Sequence, residues 1–284
     1  MRILFLSDNF PPEVNAPASR TFEHCRAWAR AGHDVTVITC APNFPQGKVY
    51  PGYRNRWRQV ETMDGIRVVR VWSFVTANEG LVRRTLDYLS FMVTSAIEGL
   101  RNRPPDVVIG TSPQIFVACA AWFVGRMRRR PFVFELRDLW PEAIRAVGAL
   151  RSAWILRWLE RLELYLYRKA ALIVAVTESF RDNLVGRGIP RQSIQVVTNG
   201  VDLSRFSPMH KDARLVDELG LGGKFVLGYV GTHGLAHGLE TILDAAEMLL
   251  AGDDADRFAF VMLGDGARKK ALQSDAARRA LRNV

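Results

Sequence analysis

The chain has 284 residues, is 48% hydrophobic and carries a formal net charge of +10, enough apolar material for the cores of one large domain or two ordinary ones. Cys25, Cys40 and Cys119 stand apart with no C-x-x-C spacing, which argues against a disulfide framework or a thiolate zinc site and fits a reducing cytosol. The opening run Met1–Leu6 stops at Ser7-Asp8, too short for a signal peptide, and neither Tyr88–Leu100 nor Ile115–Met127 reaches the ~20 apolar residues of a transmembrane helix, so a soluble or peripheral protein is expected.

Arg2–Leu6 is an apolar run that predicts a buried strand. A loop at Ser7–Asn15 leads into a helix over about Ala16–Ala31, which Gly32 ends. Val35–Thr39 and, after a long loop, Ile66–Trp72 are the next strands. Then come a helix at Leu81–Leu100, a strand at Asp106–Gly110, a helix at Ile115–Arg128 and a strand at Phe132–Glu135. Helical pattern runs from about Pro141 to Lys169, followed by a strand at Leu172–Val176, a helix at Ser179–Arg187 and a strand at Ser193–Val197. This alternation predicts a parallel sheet with helices on both faces. Asn199–Lys224, with Gly200, Pro208 and the Gly220–Gly223 stretch, reads as a join. The pattern restarts with strand Phe225–Val230, a helix from about Leu235 to Leu250, strand Phe258–Leu263 and a further helix. The expected domains are 1–200 and 201–284. A free-standing α/β domain takes ~100 residues or more, and only about 80 follow Val201. The second domain is therefore expected to be incomplete, and this length of chain inactive by itself.

Residues 1–200 hold 28 Lys and Arg against 17 Asp and Glu, whereas 201–284 hold 11 against 12. The positive field belongs to the first domain, and arginine, the better fork for phosphate, dominates it. Nucleic acid, an anionic membrane or a phosphorylated substrate are the partners such a field attracts; solvated arginine in a biased composition is the plain alternative. Nucleic acid is set aside, because arginines interleave with aromatic rings only at Tyr53–Arg58. Tyr53–Arg58, Arg83-Arg84 and Arg126–Arg130 are the stretches placed against an anionic membrane surface, the last reading equally well as a helix C-terminus. Within Arg151–Lys169, Ile155, Trp158, Leu159, Leu162 and Tyr165 share one face, with Arg157, Glu160, Arg161 and Arg168 opposite. Core packing is expected there, and a membrane-lying helix is the alternative.

Open parallel sheets bind ligands at the carboxyl ends of their strands. No G-x-G-x-x-G follows the first strand, and neither G-x-x-x-x-G-K-[ST] nor H-E-x-x-H occurs. That weakens a nicotinamide or flavin enzyme and excludes a P-loop NTPase. Gly231-Thr232-His233-Gly234, with Gly238 in the first turn of the predicted helix, offers backbone N–H groups and a positive helix end to an anion, with His233 and His237 as donors; a plain strand-to-helix turn fits equally. Arg137-Asp138-Leu139-Trp140-Pro141-Glu142 follows a buried strand and is a candidate catalytic cluster, or a structural Arg–Asp pair. Asp254-Ala255-Asp256 has the look of a metal-binding carboxylate pair but reads as a solvated turn.

Several segments in this order carry a family resemblance: Arg2-Ile3-Leu4, the helix end Arg30-Ala31-Gly32-His33-Asp34-Val35-Thr36-Val37, Val197-Thr198-Asn199-Gly200-Val201-Asp202 with Phe206, Gly228-Tyr229-Val230-Gly231, and Leu263-Gly264-Asp265-Gly266. Across its whole length the chain resembles the retaining family 4 glycosyltransferases of the GT-B fold, most of all the bacterial branch that builds O-antigen, capsule or exopolysaccharide. The resemblance implies an α/β fold of two Rossmann-like domains facing a cleft, the second incomplete here. It implies transfer of a sugar, with retention, from a nucleotide diphosphate sugar, expected to be a UDP-sugar, to a glycan or polyprenyl-diphosphate-linked acceptor. No metal or other cofactor is implied, because protein donors stabilise the leaving diphosphate. The resemblance places Gly231, His233 and His237 at the phosphates, Asp265 and Gly266 near the nucleotide, and Asn199 among the donor-binding residues. It places Arg137 and Asp138 as catalytic residues and Asn9, Glu13 and Asn15 along the acceptor. A cytoplasmic enzyme, peripheral on the inner face of the cell membrane, is the implied setting.

The chain departs from the family at named points. Asn15-Ala16-Pro17-Ala18 stands where many relatives have two glycines, and Arg137 where many have a histidine. His233 and His237 fall where an Arg and a Lys usually meet the donor phosphates. The family's Glu-x7-Glu motif would lie beyond Val284. Two readings compete: a GT-B-fold nucleotide-sugar 2-epimerase, which needs no acceptor, and a non-catalytic nucleotide-sugar-binding protein.

Overall fold

In the first strand, β1 (Arg2–Leu6), Ile3 and Phe5 feed one apolar core and Leu4 and Leu6 another, and all four are buried. Both faces apolar is the signature of a strand inside a parallel sheet. The structure, a computed structural model, describes residues 1–284 apart from 77–80, 140–151, 204–205 and 253–254. Trp140, Pro141 and Glu142, the predicted helical start from Pro141 to Arg151, and Asp254 of the predicted turn lie outside the described residues. The chain forms two compact units, Met1–Val201 and Asp202–Val284.

The first unit adds β2 (Asp34–Cys40), β3 (Arg58–Met63), β4 (Ile66–Val71), β5 (Val107–Thr111), β6 (Phe132–Leu136), β7 (Leu172–Ala175) and β8 (Ile194–Val196). These make one eight-stranded sheet in the order β3-β4-β2-β1-β5-β6-β7-β8. Every pairing is parallel except β3 with β4. Helix α1 (Ala16–Arg30) covers one face through Phe22, Cys25 and Trp28. Helices α2 (Leu81–Arg101), α3 (Ile115–Arg128) and α4 (Ala153–Lys169) cover the other, with Leu184 of α5 (Glu178–Gly186). The predicted parallel sheet with helices on both faces is therefore present. Gly110 lets α3 settle on β5: a Cβ there would lie 2.6 Å from the Ala121 Cβ and 3.0 Å from the Ala118 Cα.

The long loop predicted between the second and third strands is in part strand β3. Asp64 and Gly65, with φ of 46° and 81°, form the two-residue turn that joins it to β4. Asp-Gly is a strong hairpin signal, but β3 alternates exposed and half-buried positions and lacks an apolar run. Arg70 on β4 is buried, and the hairpin supplies its partner: Nε donates to Glu61 Oε1 at 2.5 Å, with the Cys40 and Pro11 carbonyls taking the other N–H groups. A buried guanidinium needs such a full set of acceptors.

The second unit pairs β9 (Phe225–Val230) with β10 (Phe258–Leu263) in parallel, Phe225 opposite Phe258. Helix α6 (Ala213–Glu218) lies in the stretch read as a join, capped by Asp212. The helix predicted from Leu235 begins only at Glu240, as α7 (Glu240–Leu250). Leu235–His237 is a single 3-10 turn, and Gly238, with φ of 56°, breaks the chain between them rather than sitting in a first helical turn. Helix α8 (Lys269–Arg278) follows β10. Leu239, Leu243, Ala246, Phe260, Leu272 and Leu281 make its core.

Among the described residues no helix is long and apolar enough to cross a membrane. Phe134 is 1% exposed and meets the Tyr167 ring edge-on at 5.0 Å. Phe134→Ala is expected to cost about 3–5 kcal/mol of unfolding free energy, read as a lower urea midpoint.

Candidate functional site

In the first unit one set of polar side chains gathers on the loops that leave the carboxyl ends of the strands. Asn15 caps α1: its Oδ1 accepts from the Ala18 N–H at 2.8 Å, while its Nδ2 donates to Asn9 Oδ1 at 2.8 Å. The two asparagines are thus joined, and Asn15 also does the work of an N-cap. Glu13 is buried, and its Oε1 accepts from the N–H groups of Asn43 (2.7 Å) and Phe44 (2.9 Å). Its Oε2 has no partner among the described residues. Gln114 donates Nε2 to Asp8 Oδ2 at 3.2 Å and leaves Oε1 buried and unpartnered.

Burial pushes Asp8 and Glu13 above the usual carboxylate range, with Asp8 adding to the rise of Glu13. Burial, then Asp8 and Glu13, push Asp87 on α2 up to about 7, against the pull of Arg84. Two buried acceptor oxygens beside three acids call for O–H or N–H donors, which a polyhydroxy ligand has in quantity.

A second cluster centres on Arg20, buried on α1. Its Nε donates to Glu135 Oε1 at 3.0 Å, one terminal nitrogen to Asn199 Oδ1 at 2.6 Å and the other to the Val197 carbonyl at 3.2 Å. His24 Nδ1 lies 3.4 Å from the same Glu135 oxygen. Burial alone would raise Glu135, but His24, Arg20, Thr111 and Arg137 outweigh it and hold its carboxyl at about 2. The Arg137 N–H donates to Ser112 Oγ at 2.7 Å and its guanidinium to the Pro17 carbonyl at 3.3 Å. Burial lowers Arg137, which Glu135 opposes and Arg20 reinforces. Burial raises Asp138, and Arg137 opposes it. Among the described residues no ion pair joins Arg137 to Asp138; both backbone N–H groups instead converge on Ser112. Arg137 and Asn199 are brought together around Arg20 and Glu135. Those two were not foreseen as site residues. The available signal was an acid, Glu135, closing the apolar strand Phe132-Val133-Phe134, since a buried acid demands a partner.

In the second unit the two glycine loops lock backbone to backbone. Gly231 N–H donates to the Leu263 carbonyl (3.0 Å), His233 N–H to the Asp265 carbonyl (2.8 Å) and Arg268 N–H to the His233 carbonyl (2.9 Å). Gly264 permits this approach, because a Cβ there would fall 1.8 Å from the Gly231 carbonyl oxygen. His233 is 4% exposed, both ring nitrogens lack partners among the described residues, and the ring lines a hollow of about 610 Å³ with Met262, Lys269 and Leu272. His237 is exposed on its 3-10 turn, and Asp265 is exposed, accepting the Gly266 N–H on its own carboxylate at 2.8 Å. Glu240 stands in the first turn of α7 and takes Arg268 Nε at 2.9 Å.

Residues 15–200 match the family described as a glycosyl transferase 4-like domain. The chain belongs to that family. It is 26% identical to the proposed colanic acid biosynthesis glycosyl transferase WcaI of Escherichia coli (strain K12), covering 100% of this chain and 70% of that protein. It is 27% identical to a GDP-mannose-dependent alpha-mannosyltransferase of Mycobacterium tuberculosis (strain CDC 1551 / Oshkosh), over 96% of this chain and 65% of that protein. The chain thus spans about two thirds of the length of these relatives. Among solved structures, the fold superposes on Anabaena HepE in complex with UDP and glucose with a TM-score of 0.65, 16% identity, and coverage of 100% of this chain and 67% of that one. On sucrose-phosphate synthase from Thermosynechococcus elongatus the TM-score is 0.71, with 14% identity over 99% of this chain and 68% of that one. The fold class is the GT-B type these neighbours share, and the enzyme class is glycosyltransferase; neither competing reading finds a counterpart among these relatives.

Two outcomes follow for variants. Glu135 is held low in the folded chain, so its stabilisation is complete above its unfolded value of ~4.3 and fades as pH falls from there to about 2. Glu135→Gln leaves Arg20 buried without its counter-charge. It is expected to destabilise by about 3–5 kcal/mol at neutral pH, and by less at pH 3, in urea titrations at both values. Gly264→Ala forces the two glycine loops apart, and loss of second-unit amide protection in hydrogen exchange, with the first unit unchanged, is the expected readout.

Proposed function

We propose that the protein moves a sugar from a nucleotide diphosphate sugar to a glycan or polyprenyl-diphosphate-linked acceptor, with retention at the anomeric carbon. The observation that carries this reading is the family match over residues 15–200, laid on a sheet whose carboxyl-end loops hold the polar clusters described above. On the acceptor side, Glu13 Oε2 and Gln114 Oε1 accept sugar hydroxyls, with Asn9 and Asn15 shaping the loop. Arg137, with Asp138, supplies the charge that meets the reacting groups.

The donor falls to the second unit. Backbone N–H groups of the Gly231 loop and the exposed His237 meet the diphosphate, with Asp265 and Gly266 at the nucleotide. His233, buried as it is, holds the loop rather than the phosphate. Charge developing on the leaving diphosphate is met by these preorganised donors, so the reading includes no metal. HepE was solved with UDP and glucose, and the mycobacterial relative is named for GDP-mannose; both support a nucleotide diphosphate sugar, with UDP the base we favour. The name of the Escherichia coli relative supports an exopolysaccharide product. A lipid-linked acceptor sets the enzyme on the inner face of the cell membrane.

Calorimetric titration of the full-length gene product with UDP and GDP tests the donor site. A dissociation constant between about 1 μM and 1 mM is expected, the range of ordinary enzyme substrates. Gly231→Val is expected to abolish the heat while the first unit stays folded. Affinity unchanged in that variant moves the donor site elsewhere. Interconversion of UDP-sugars without any acceptor would make the protein an epimerase.

A further inference from the structure

Helices α2, α3 and α4 lie side by side over one face of the first sheet, and each carries exposed apolar side chains among its charged ones. On α2, Val82, Leu86, Val93 and Ile97 are exposed, at spacings of a single helical stripe. Phe123 and Met127 repeat this on α3, and Trp154, Trp158 and Tyr165 on α4. Val93, Ile97, Phe123 and Tyr165 rim a groove of about 390 Å³, floored by Cys119, Leu162 and Leu166, with hardly a polar atom in its lining. The groove shares Trp122 and Tyr165 with an adjoining hollow of about 320 Å³ that presents Arg126, Arg130 and Lys169. Among the described residues none of these three cations is ion-paired, and Lys169 Nζ sits 5.6 Å above the Tyr165 ring. An apolar channel thus opens beside three positive charges, of which Arg130 also acts on the Asp106 carboxylate, with tryptophan and tyrosine at the border.

We propose that this α2–α3–α4 face is a docking surface for an anionic phospholipid bilayer. Acyl chains enter the groove, and headgroup phosphates meet Arg126, Arg130 and Lys169. The charge pattern selects this occupant. A protein partner or a second copy would be served by the apolar stripes alone, whereas the cations beside the groove match a phosphate layer above hydrocarbon. Aromatic side chains at the rim suit the headgroup level. The inference deepens the membrane partner named above by giving it a surface in addition to the Tyr53–Arg58 stretch. There Tyr53 lies under the Arg70 guanidinium at 4.9 Å, Trp57 stacks on Trp72 at 6.2 Å and Arg58 is paired with Glu98 at 3.1 Å. Trp57 nevertheless stays 59% exposed, and Arg54 and Arg56 are exposed as well.

The test is flotation of the full-length protein with two vesicle types, pure phosphatidylcholine and phosphatidylcholine with one third phosphatidylglycerol. Binding to the anionic vesicles alone, weakening with salt, is expected. Arg126→Ser/Arg130→Ser/Lys169→Ser is expected to weaken it about a hundredfold, at roughly fivefold for each basic residue near an anionic surface. Phe123→Ser/Trp158→Ser, both at exposed positions, is expected to remove the binding that survives high salt. Circular dichroism and an unchanged urea midpoint establish that both variants fold. No binding at low salt overturns the proposal, as does equal binding to neutral vesicles or binding that both variants leave intact. A dimer in sedimentation velocity that Phe123→Ser/Trp158→Ser abolishes overturns it in favour of a protein interface. Nucleoside diphosphate titration is indifferent to this surface, so failure of lipid binding and failure of the transferase reading are told apart.

Discussion

The buried pair of Arg20 and Glu135 is the constraint on which the site side of the first unit depends. A charge in the interior is tolerable only when its partner and the remaining hydrogen bonds are in place. Here Glu135 ends β6, Arg20 comes from α1, and the residual guanidinium N–H groups reach the segment leaving β8 at Val197 and Asn199. Three elements distant in sequence are therefore set at one spacing by one side chain. Arg137 gains its environment from the same arrangement, since Glu135 and Arg20 act on it with opposite signs. The polar loops sit on this frame, which is why a sheet edge can hold several charged groups in low dielectric without collapsing them onto each other.

The acid cluster around Asp8 stands in contrast. Nothing neutralises Asp8, Glu13 and Asp87 as fully as Arg20 neutralises Glu135, and their carboxyls rise accordingly. Arg70, the nearest buried cation, is committed to Glu61 and to two carbonyls. Glu135 is thus tuned down while Asp8, Glu13 and Asp87 are tuned up. Such divergence marks places where a protein keeps polar groups for a ligand rather than for its own packing.

Much of the architecture was legible because both faces of a parallel sheet are buried, which writes each strand as an apolar run. Arg2–Leu6 shows this directly, whereas Phe225–Val230 has the same apolar run but is exposed along most of its length. Strand β3 was not legible by that rule, because an edge strand with one half-covered face has no such run; only Asp64-Gly65 betrayed it. The start of α7 was misplaced because Leu235–His237 has helical spacing, while the left-handed Gly238 that interrupts it is indistinguishable in sequence from a tolerated helical glycine. For the site, the loops at the strand ends were readable from topology alone, and Asn9, Glu13, Asn15, Arg137 and Asn199 do lie on them. What sequence could not give is partnership. Asn15 is an N-cap, His233 faces a hollow, and Arg20 reaches across more than a hundred residues to Glu135, facts fixed only by tertiary distance.

The placement of two cysteines has a use of its own. Cys25 belongs to the core on the α1 side of the first sheet, and Cys40 to the core on the opposite side. Both are buried, and burial drives their thiols far above the ordinary range, so neither is a nucleophile in the closed protein. Each becomes reactive only when its own side of the sheet opens. The first sheet therefore carries a separate chemical clock for each of its two cores, and the order in which these two thiols take up label records which face of the sheet lets go first.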